Sequence, residues 1–274
     1  MRAIVIAGSH PRNLAILERS LQINSIDVVG QIIYHREDVL PDPPEYLGSN
    51  LRRLWSLHFN KRKAAEDYFF NLKDNILQHA PTHNVFSQND LNSIESVSFV
   101  KKCKPDICII TGVPIIKEPL FIELPDFSIN LHLGLIPYYK GSITMFWPFY
   151  LLEPSMAGCT YHVINKTVDT GEIIHQIRPS LEYGDGMHDV ACKASVKAIS
   201  NLDIVISDLY SRINSKRKPQ FDHKLESLGK TFKRSDFKPQ MLELIYDHYE
   251  DQIVDHYLNG NLPTNSHKKL ITIN

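Results

Sequence analysis

The first 34 residues alternate between apolar runs and a helical pattern, and this order restricts the possible architectures more than any other feature of the chain. Ala3–Ala7 (AIVIA) is a continuous, largely β-branched run that leads into Gly8-Ser9-His10-Pro11. Leucines from Leu14 to Leu21 repeat on one helical face, and Val28–Tyr34 (VVGQIIY) is a second apolar run. A strand, a turn, a helix and a further strand form a βαβ unit, which predicts a parallel sheet with helices on both faces.

The composition is that of an ordinary globular protein. The chain has 274 residues, of which 43% are hydrophobic and 22% charged, with a formal net charge of −1. These values exclude a disordered chain and a coiled coil, and they give no overall basic footprint for nucleic acid. No apolar run reaches the length of a membrane span, and the N-terminus lacks a signal-peptide pattern. We therefore expect a cytoplasmic protein that binds neither membrane nor nucleic acid.

Further apolar runs and helical patterns continue the α/β order along the chain. We expect a loop at Asp38–Asn50, helices at Lys61–His79, Leu91–Lys102, Asp185–Ile213 and Met241–Leu258, and strands at Asp106–Thr111, Phe127–His132, Cys159–Ile164 and Ile173–Ile177. Residues 259–274 are polar, and we expect them to be frayed. The turn after the first strand has the glycine spacing of neither a dinucleotide fingerprint nor a Walker loop.

The polar residues that carry most chemical information lie at the end of one predicted strand. Asn130 and His132 are two residues apart, so a strand places both side chains on one face. The carboxyl end of a strand is where open α/β sheets form their ligand crevice. About 37 residues later, Asp169-Thr170-Gly171 adds a carboxylate on a turn between strands. Each residue alone is ordinary in its place, and the combination favours catalysis.

This pattern resembles the N10-formyltetrahydrofolate-dependent formyltransferases, whose signature is Asn-x-His, a proline, a basic residue and glycine, followed by Asp-x-Gly. The resemblance extends over roughly residues 1–205. It implies a Rossmann-like, mostly parallel α/β sheet flanked by helices, with a catalytic domain at 1–205. Residues 206–274 would form a small subdomain of helix and β-hairpin. In that family the three polar residues form the active centre, which transfers to Asn130, His132 and Asp169 of this chain.

These residue types suit formyl transfer to an amine. The developing oxyanion needs a donor, which the Asn130 amide supplies. The attacking amine must lose a proton, which His132 can relay and Asp169 can orient or accept. The sequence leaves open whether His132 or Asp169 is the formal base.

The resemblance also implies binding residues for the formyl donor and for the acceptor. Those expected at N10-formyltetrahydrofolate are Thr111, Gly112, Val113, Pro114, Ile115, Ile164 and Val168. Those expected at the acceptor are His10, Arg12, Tyr138, Lys140 and Trp147, with packing as the competing role for Trp147 and for one tyrosine of the Tyr138-Tyr139 pair. His79 and His83 have helical metal-pair spacing, but Pro81 separates them and no third ligand is near, so we expect no metal.

Three branches of the family differ in the amine that they formylate. Features typical of the sugar-nucleotide N-formyltransferases are the Pro-Tyr-Tyr-Lys-Gly run, the Phe146-Trp147 pair and a segment at Gly229–Phe237. That segment resembles a hairpin that often joins two subunits, which implies a homodimer. The other two branches, acting on glycinamide ribonucleotide and on methionyl-tRNA, remain open, as does a non-catalytic binding protein. We expect a nucleotide-linked amino sugar as the substrate.

Overall fold

The computed structural model describes residues 1–35, 40–72, 75–222, 224–264 and 269–273. Its strands are β1 (Arg2–Gly8), β2 (Asp27–Tyr34), β3 (Thr82–Val85), β4 (Ile107–Thr111), β5 (Ser128–His132), β6 (Tyr139–Gly141), β7 (Cys159–Val163), β8 (Ile173–Ile177) and β9 (Lys230–Phe232). Its helices are α1 (Pro11–Leu21), α2 (Ser49–Phe69), α3 (Gln88–Leu91), α4 (Ile94–Cys103), α5 (Leu120–Glu123), α6 (Trp147–Tyr150), α7 (Met187–Ser200), α8 (Leu202–Asn214), α9 (Lys224–Ser227), α10 (Met241–Glu243) and α11 (Ile253–Leu258). Single helical turns lie at Ile76–Gln78, Pro154–Met156 and Arg234–Asp236, and a π-helical turn lies at Leu244–His248.

Seven strands form the main sheet in the order β3-β2-β1-β4-β5-β7-β8. The first five are parallel, while β7 pairs antiparallel with both β5 and β8. The predicted mostly parallel sheet with flanking helices is confirmed. The parallel strands bring the carboxyl ends of β1, β4 and β5 to one edge, where the candidate catalytic residues lie.

The side chains of β1 alternate between the two faces of the sheet, and each face is covered by its own buried apolar cluster. Ala3, Val5 and Ala7 belong to one buried cluster with residues of α1 and α7. Ile4 and Ile6 point to the opposite face, where they join a second cluster with residues of α4. Since successive side chains of a strand alternate between faces, a continuous apolar run is the pattern of a strand covered on both sides.

Several predicted element bounds differ from the structure. The helix expected at 61–79 instead spans Ser49–Phe69, and Leu54 near its start is fully buried and attaches that part of the helix to the core. The loop expected at 38–50 is irregular over 40–48, and residues 36–39 lie outside the described part. The helix expected at 185–213 is two helices that meet at Asn201. Strand β3, a short run of four residues, was not predicted from its polar sequence.

The C-terminal segment differs most from expectation. Within its described residues, Gly229–Phe237 forms no hairpin; instead β9 pairs in parallel with β6, far away in sequence. Residues 269–273 are bound rather than frayed, because Gln176 donates its N–H to the Ile271 carbonyl at the edge of β8. The boundary expected at residue 205 falls inside α8, whose Val205 and Ile206 lie in the main core.

Two further observations concern the described residues as a whole. None of their helices combines the length and apolar character that crossing a membrane requires. All four cysteines are buried free thiols.

Candidate active site

Two strands and one turn bring four polar side chains together. Asn130 and His132 lie on β5, His162 lies on β7, and Asp169 lies in the turn between β7 and β8. The antiparallel register places Asn130 directly opposite His162. The structure therefore brings all three predicted catalytic residues together and adds His162, which sequence reasoning missed. Its signal was a histidine within a short run of otherwise mostly apolar and aromatic residues.

His132 is held in one ring orientation by the main chain. Its Nε2 lies 2.8 Å from the carbonyl oxygen of Tyr139, and its Nδ1 lies 3.4 Å from Oδ2 of Asp169. A carbonyl only accepts, so Nε2 carries a hydrogen and Nδ1 is the nitrogen that can take a proton. Burial lowers the pKa of His132 and so favours a neutral ring, although the Asp169 carboxylate acts in the opposite direction. A Cβ at Gly134 would lie 2.6 Å from Nε2, so glycine is required there.

Asp169 is fixed from three sides. The Gly141 N–H donates to Oδ2 at 2.7 Å, and His162 Nε2 lies 3.4 Å from Oδ1. Burial alone would raise the pKa of Asp169, but His132, His162 and the Gly141 N–H lower it well below its usual value. The carboxylate therefore stays charged at neutral pH. Its backbone is left-handed, with φ of 52°, a conformation tolerated by Asp and Asn in turns.

Asn130 is half-buried and reaches His162. Its Nδ2 lies 3.2 Å from His162 Nε2, and His162 Nδ1 donates to the Val163 carbonyl at 3.0 Å. An amide nitrogen has two hydrogens, so one contact leaves a donor for a further group. The site thus combines an amide donor, a neutral imidazole and a charged carboxylate, which is the equipment for acyl transfer with proton movement.

The segments expected at the formyl donor follow β4 and β7. Within residues 112–115 only Ile115 is exposed, and within residues 164–168 only Lys166 and Thr167 are exposed; the others are half-buried. Val113 and Ile164 pack against the same apolar cluster, and the Glu118 and Lys166 side chains form an exposed ion pair of 3.2 Å. Gly112 has φ of 64°, and a Cβ there would lie 2.3 Å from Asn13 Nδ2. Thr111 is buried and Ile115 is 51% exposed.

His10 and Arg12 lie at the start of α1 around a buried carboxylate. Arg12 is 3.4 Å and Arg62 2.9 Å from Oε1 of Glu66, and Arg62 also lies 2.9 Å from His10 Nδ1. Burial alone would raise the pKa of Glu66, but the two guanidinium groups lower it below its usual value. The two predicted residues are thus close together, since Arg62 contacts both His10 and the Glu66 carboxylate that pairs with Arg12. Sequence reasoning missed Glu66 and Arg62 on α2.

The remaining acceptor candidates lie beside β9. Lys140 is buried, and its Nζ donates to the carbonyls of Leu225 and Glu226 at 3.0 Å each. Trp147 is buried too; its Nε1 donates to the Ser142 carbonyl, and its ring stacks on Phe232 at 4.4 Å. Tyr138 is half-buried against the main core. The structure thus places Lys140 and Trp147 in packing contacts around β6 and β9.

No group of three or more His, Cys, Asp or Glu side chains suited to a metal ion occurs among the residues that the structure describes.

The fold agrees with a comparison to known families. Residues 57–199, more than half of the chain, match the family model described as formyl transferase, and the chain belongs to this family. The chain spans about a quarter to a half of the length of the first curated relatives that it matches.

Individual relatives differ in their acceptors. GDP-perosamine N-formyltransferase of Brucella melitensis is 30% identical over 125 residues, covering 45% of this chain and 48% of that protein. Methionyl-tRNA formyltransferase of Ehrlichia ruminantium is 23% identical over 147 residues, covering 48% of each. A sugar N-formyltransferase structure from Shewanella sp. has a TM-score of 0.53 at 15% identity, covering 86% of this chain and 78% of that one. Phosphoribosylglycinamide formyltransferases share the fold as well.

Proposed function

We propose that the protein transfers a formyl group from N10-formyltetrahydrofolate to the primary amine of a nucleotide-linked amino sugar. The observation that carries this proposal is the juxtaposition of Asn130, His132 and Asp169 at the carboxyl edge of the sheet. A carboxylate 3.4 Å from a neutral imidazole, beside an amide donor, suits an amine that attacks a carbonyl carbon and then loses a proton.

The transfer forms one bond and breaks another. The amine nitrogen bonds to the formyl carbon, and Asn130 Nδ2 donates to the oxygen as negative charge develops there. His132 Nδ1 takes the proton that the amine loses, while the Asp169 carboxylate stabilises the positive charge on the ring. The C–N10 bond then breaks, and the proton passes from His132 to N10. The products are a formamide and tetrahydrofolate, and no oxidant or metal takes part in these steps.

The donor-binding assignment rests on the segments that flank these residues. A flat heterocycle would find apolar contact with Val113, Pro114, Ile115 and Ile164, of which only Ile115 is exposed. Val168 lies in the turn directly before Asp169 and would close the other side. We assign these residues to N10-formyltetrahydrofolate binding.

The choice of acceptor rests on the similarity to GDP-perosamine N-formyltransferase and on the near-neutral charge of the chain. A polyanion such as tRNA is bound through a basic surface, which a net charge of −1 does not favour. His10 and Arg12 would meet the diphosphate of a sugar nucleotide, and Tyr138 would contact the sugar. A homodimer and a cytoplasmic location both stay predictions. Sedimentation of the purified protein measures the oligomeric state.

A transfer assay tests the donor and the acceptor together. The purified protein is mixed with N10-formyltetrahydrofolate and a panel of dTDP-, GDP- and UDP-linked amino sugars, with glycinamide ribonucleotide and methionyl-tRNA in parallel. We expect one sugar nucleotide to gain the mass of one CO unit. A mass gain on glycinamide ribonucleotide or methionyl-tRNA would overturn the proposed substrate class and leave the proposed reaction standing. No mass gain on any acceptor would contradict the proposed formyl transfer.

Removing the His132 ring should stop transfer and spare donor binding. We expect His132→Ala to lower kcat by about 10²- to 10⁴-fold, because the proton acceptor is lost. Tetrahydrofolate affinity, measured by calorimetry, should change little. His248→Ala is the matched control, since that ring is exposed on the π-helical turn. Turnover within twofold of wild type in His132→Ala would remove the ring from the mechanism.

A further inference from the structure

The short strand β6 has two edges with different partners. On one edge, the Tyr139 carbonyl holds His132 and the Gly141 N–H holds Asp169. On the other edge, the Ser142 N–H donates to the Phe232 carbonyl and the Tyr138 carbonyl accepts from Lys230. Backbone groups of alternate residues in a strand point in opposite directions. Residues 139 and 141 therefore serve the catalytic pair, while residues 138 and 142 serve β9.

A buried lysine ties the same strand to α9. Lys140 Nζ donates to the carbonyls of Leu225 and Glu226, both in the last turn of that helix. The final carbonyls of a helix lack partners within the helix and attract a cation. A buried ammonium is costly unless its donors are satisfied, so these contacts favour one geometry for Lys140.

Aromatic stacking and two glycines complete the attachment. Phe232 is buried and lies nearly parallel to the rings of Tyr139 and Trp147, with interplanar angles of 9° and 13°. A Cβ at Gly141 would lie 2.2 Å from the Phe232 carbonyl oxygen, and one at Gly229 would lie 2.0 Å from the Pro137 carbonyl oxygen. Only glycine permits both approaches, so the two chain segments meet at backbone distance.

We propose that α9 and β9 clamp β6, and that Lys140 is a positioning residue that sets the relative orientation of His132 and Asp169. This inference rests on the proposed function of the site. The clamp, residues 224–232, lies outside the residues that match the family model, so it supports the shared catalytic residues from a part of the chain beyond that match. Lys140 acts through β6 and makes no contact with substrate.

The first test replaces Lys140 with an uncharged residue of similar length. Lys140→Met should lower kcat by about 10- to 100-fold, since misplacing reacting groups by about 1 Å costs about that much. The KM for the formyl donor should stay within about threefold, because residues 112–115 follow β4 and lie outside both β6 and the clamp. Lys140→Arg keeps the cation and should recover most of the turnover. Lys238→Met, at an exposed lysine outside the clamp, is the matched control and should behave as wild type.

A second variant leaves the charge unchanged. Phe232→Leu removes the ring stack and should lower kcat in the same way, with circular dichroism confirming the fold. If Lys140→Met does not fold, Phe232→Leu alone tests whether the clamp positions His132 and Asp169. An altered acid limb of the kcat–pH profile in Phe232→Leu supports the clamp, whereas a uniform loss at all pH values argues for a merely structural role and overturns it.

A measurement without substrate separates this inference from the proposed function. Ring-nitrogen NMR of His132 should show its pKa rising towards the ordinary value in Phe232→Leu, as the ring is released and water enters. The Gly141 amide signal should shift as well. These changes support the clamp even if the wild-type protein transfers no formyl group to any acceptor. Unchanged His132 titration and Gly141 signals in both variants would overturn it.

Discussion

Two histidine rings contact opposite oxygens of the Asp169 carboxylate, and a main-chain carbonyl holds each ring. His132 donates to the Tyr139 carbonyl and His162 donates to the Val163 carbonyl. Main-chain acceptors on strands are fixed by the sheet ladder, so the ring orientations are set before any substrate binds. The Asp169 charge is therefore presented to Nδ1 of His132 in a defined direction, which is what proton relay requires.

Replacing Asp169 with asparagine removes the negative charge and keeps the shape of the side chain, so it tests the effect of the charge alone. Asp169→Asn should lower kcat by about 10²-fold or more and lower the pKa of His132 further, because the carboxylate is the group that raises it. The kcat–pH profile measures this, and its limb assigned to His132 should move to lower pH. A profile identical to wild type would contradict the coupling between the two residues.

Gly171 shows how tightly the turn that carries Asp169 is packed. A Cβ at this position would lie 1.6 Å from the Val163 carbonyl oxygen, so Gly171→Ala must displace the backbone of β7. We expect a loss of about 1–3 kcal/mol in the free energy of unfolding, measured by urea denaturation. Gly48→Ala is the control, since nothing lies within 4 Å of the added methyl group. Equal stabilities of the two variants would contradict the close approach.

At the scale of elements, the sheet edge at β8 is covered by residues 269–273. The Ile271 carbonyl accepts from the Gln176 N–H at 2.8 Å, and the Ile273 N–H donates to His175 Nδ1 at 3.1 Å. Leu270 and Ile273 also pack against the main core. An uncovered strand edge offers unpaired groups to other chains, so this segment protects the protein from edge-to-edge association.

Removing one donor from this segment should weaken the cover. Ile271→Pro loses the N–H that binds Gln176 Oε1, and we expect about 1–2 kcal/mol of destabilisation together with more aggregation on heating. Thermal melting with light scattering measures both. Ile271→Val is the control, because it keeps the main-chain N–H and an apolar side chain. Similar scattering from both variants would show that the edge is not protected in this way.

At the scale of the whole molecule, a buried histidine cluster joins α2, α7 and the π-helical turn. His58 Nδ1 lies 2.9 Å from the Tyr246 hydroxyl and 3.4 Å from His188 Nε2. Burial, and then Arg62, lower the pKa of His58 to about 3, and burial with His58 and Arg62 lowers the pKa of His188 well below 6.5. Both rings are therefore neutral in the folded protein, where they pack the helices together.

This cluster predicts loss of stability in mild acid. Unfolded histidines bind protons below pH 6.5 while the buried rings stay neutral, so the free energy of unfolding should fall between pH 6.5 and 4.5. The slope approaches about 1.4 kcal/mol per pH unit for each histidine. The raised pKa of the buried Asp251 opposes this trend.

Melting temperatures across this range measure the effect. His58→Gln should flatten the pH dependence, and His248→Gln should retain it. An equal slope in both variants would contradict the assignment.

The sequence alone determined the features that depend on local periodicity. The apolar run of β1, the leucine face of α1 and the second run of β2 predict a parallel sheet, because each pattern is read within a few residues. The candidate catalytic residues were also found from the sequence, since Asn130 and His132 share a strand face, Asp169 lies in an Asp-Thr-Gly turn and the whole pattern resembles a known family. Their catalytic role stays a prediction.

Only the tertiary structure decided the contacts between distant segments. His162 joins the site through the pairing of β5 with β7, and β9 supports β6 from about 90 residues further along the chain. The motif predicts that Lys140 contacts the substrate, whereas in the structure its Nζ donates to the Leu225 carbonyl of α9. Such pairings depend on which strand edges and buried cavities remain once the main sheet has formed. That choice is a property of the packed molecule, and no local pattern encodes it.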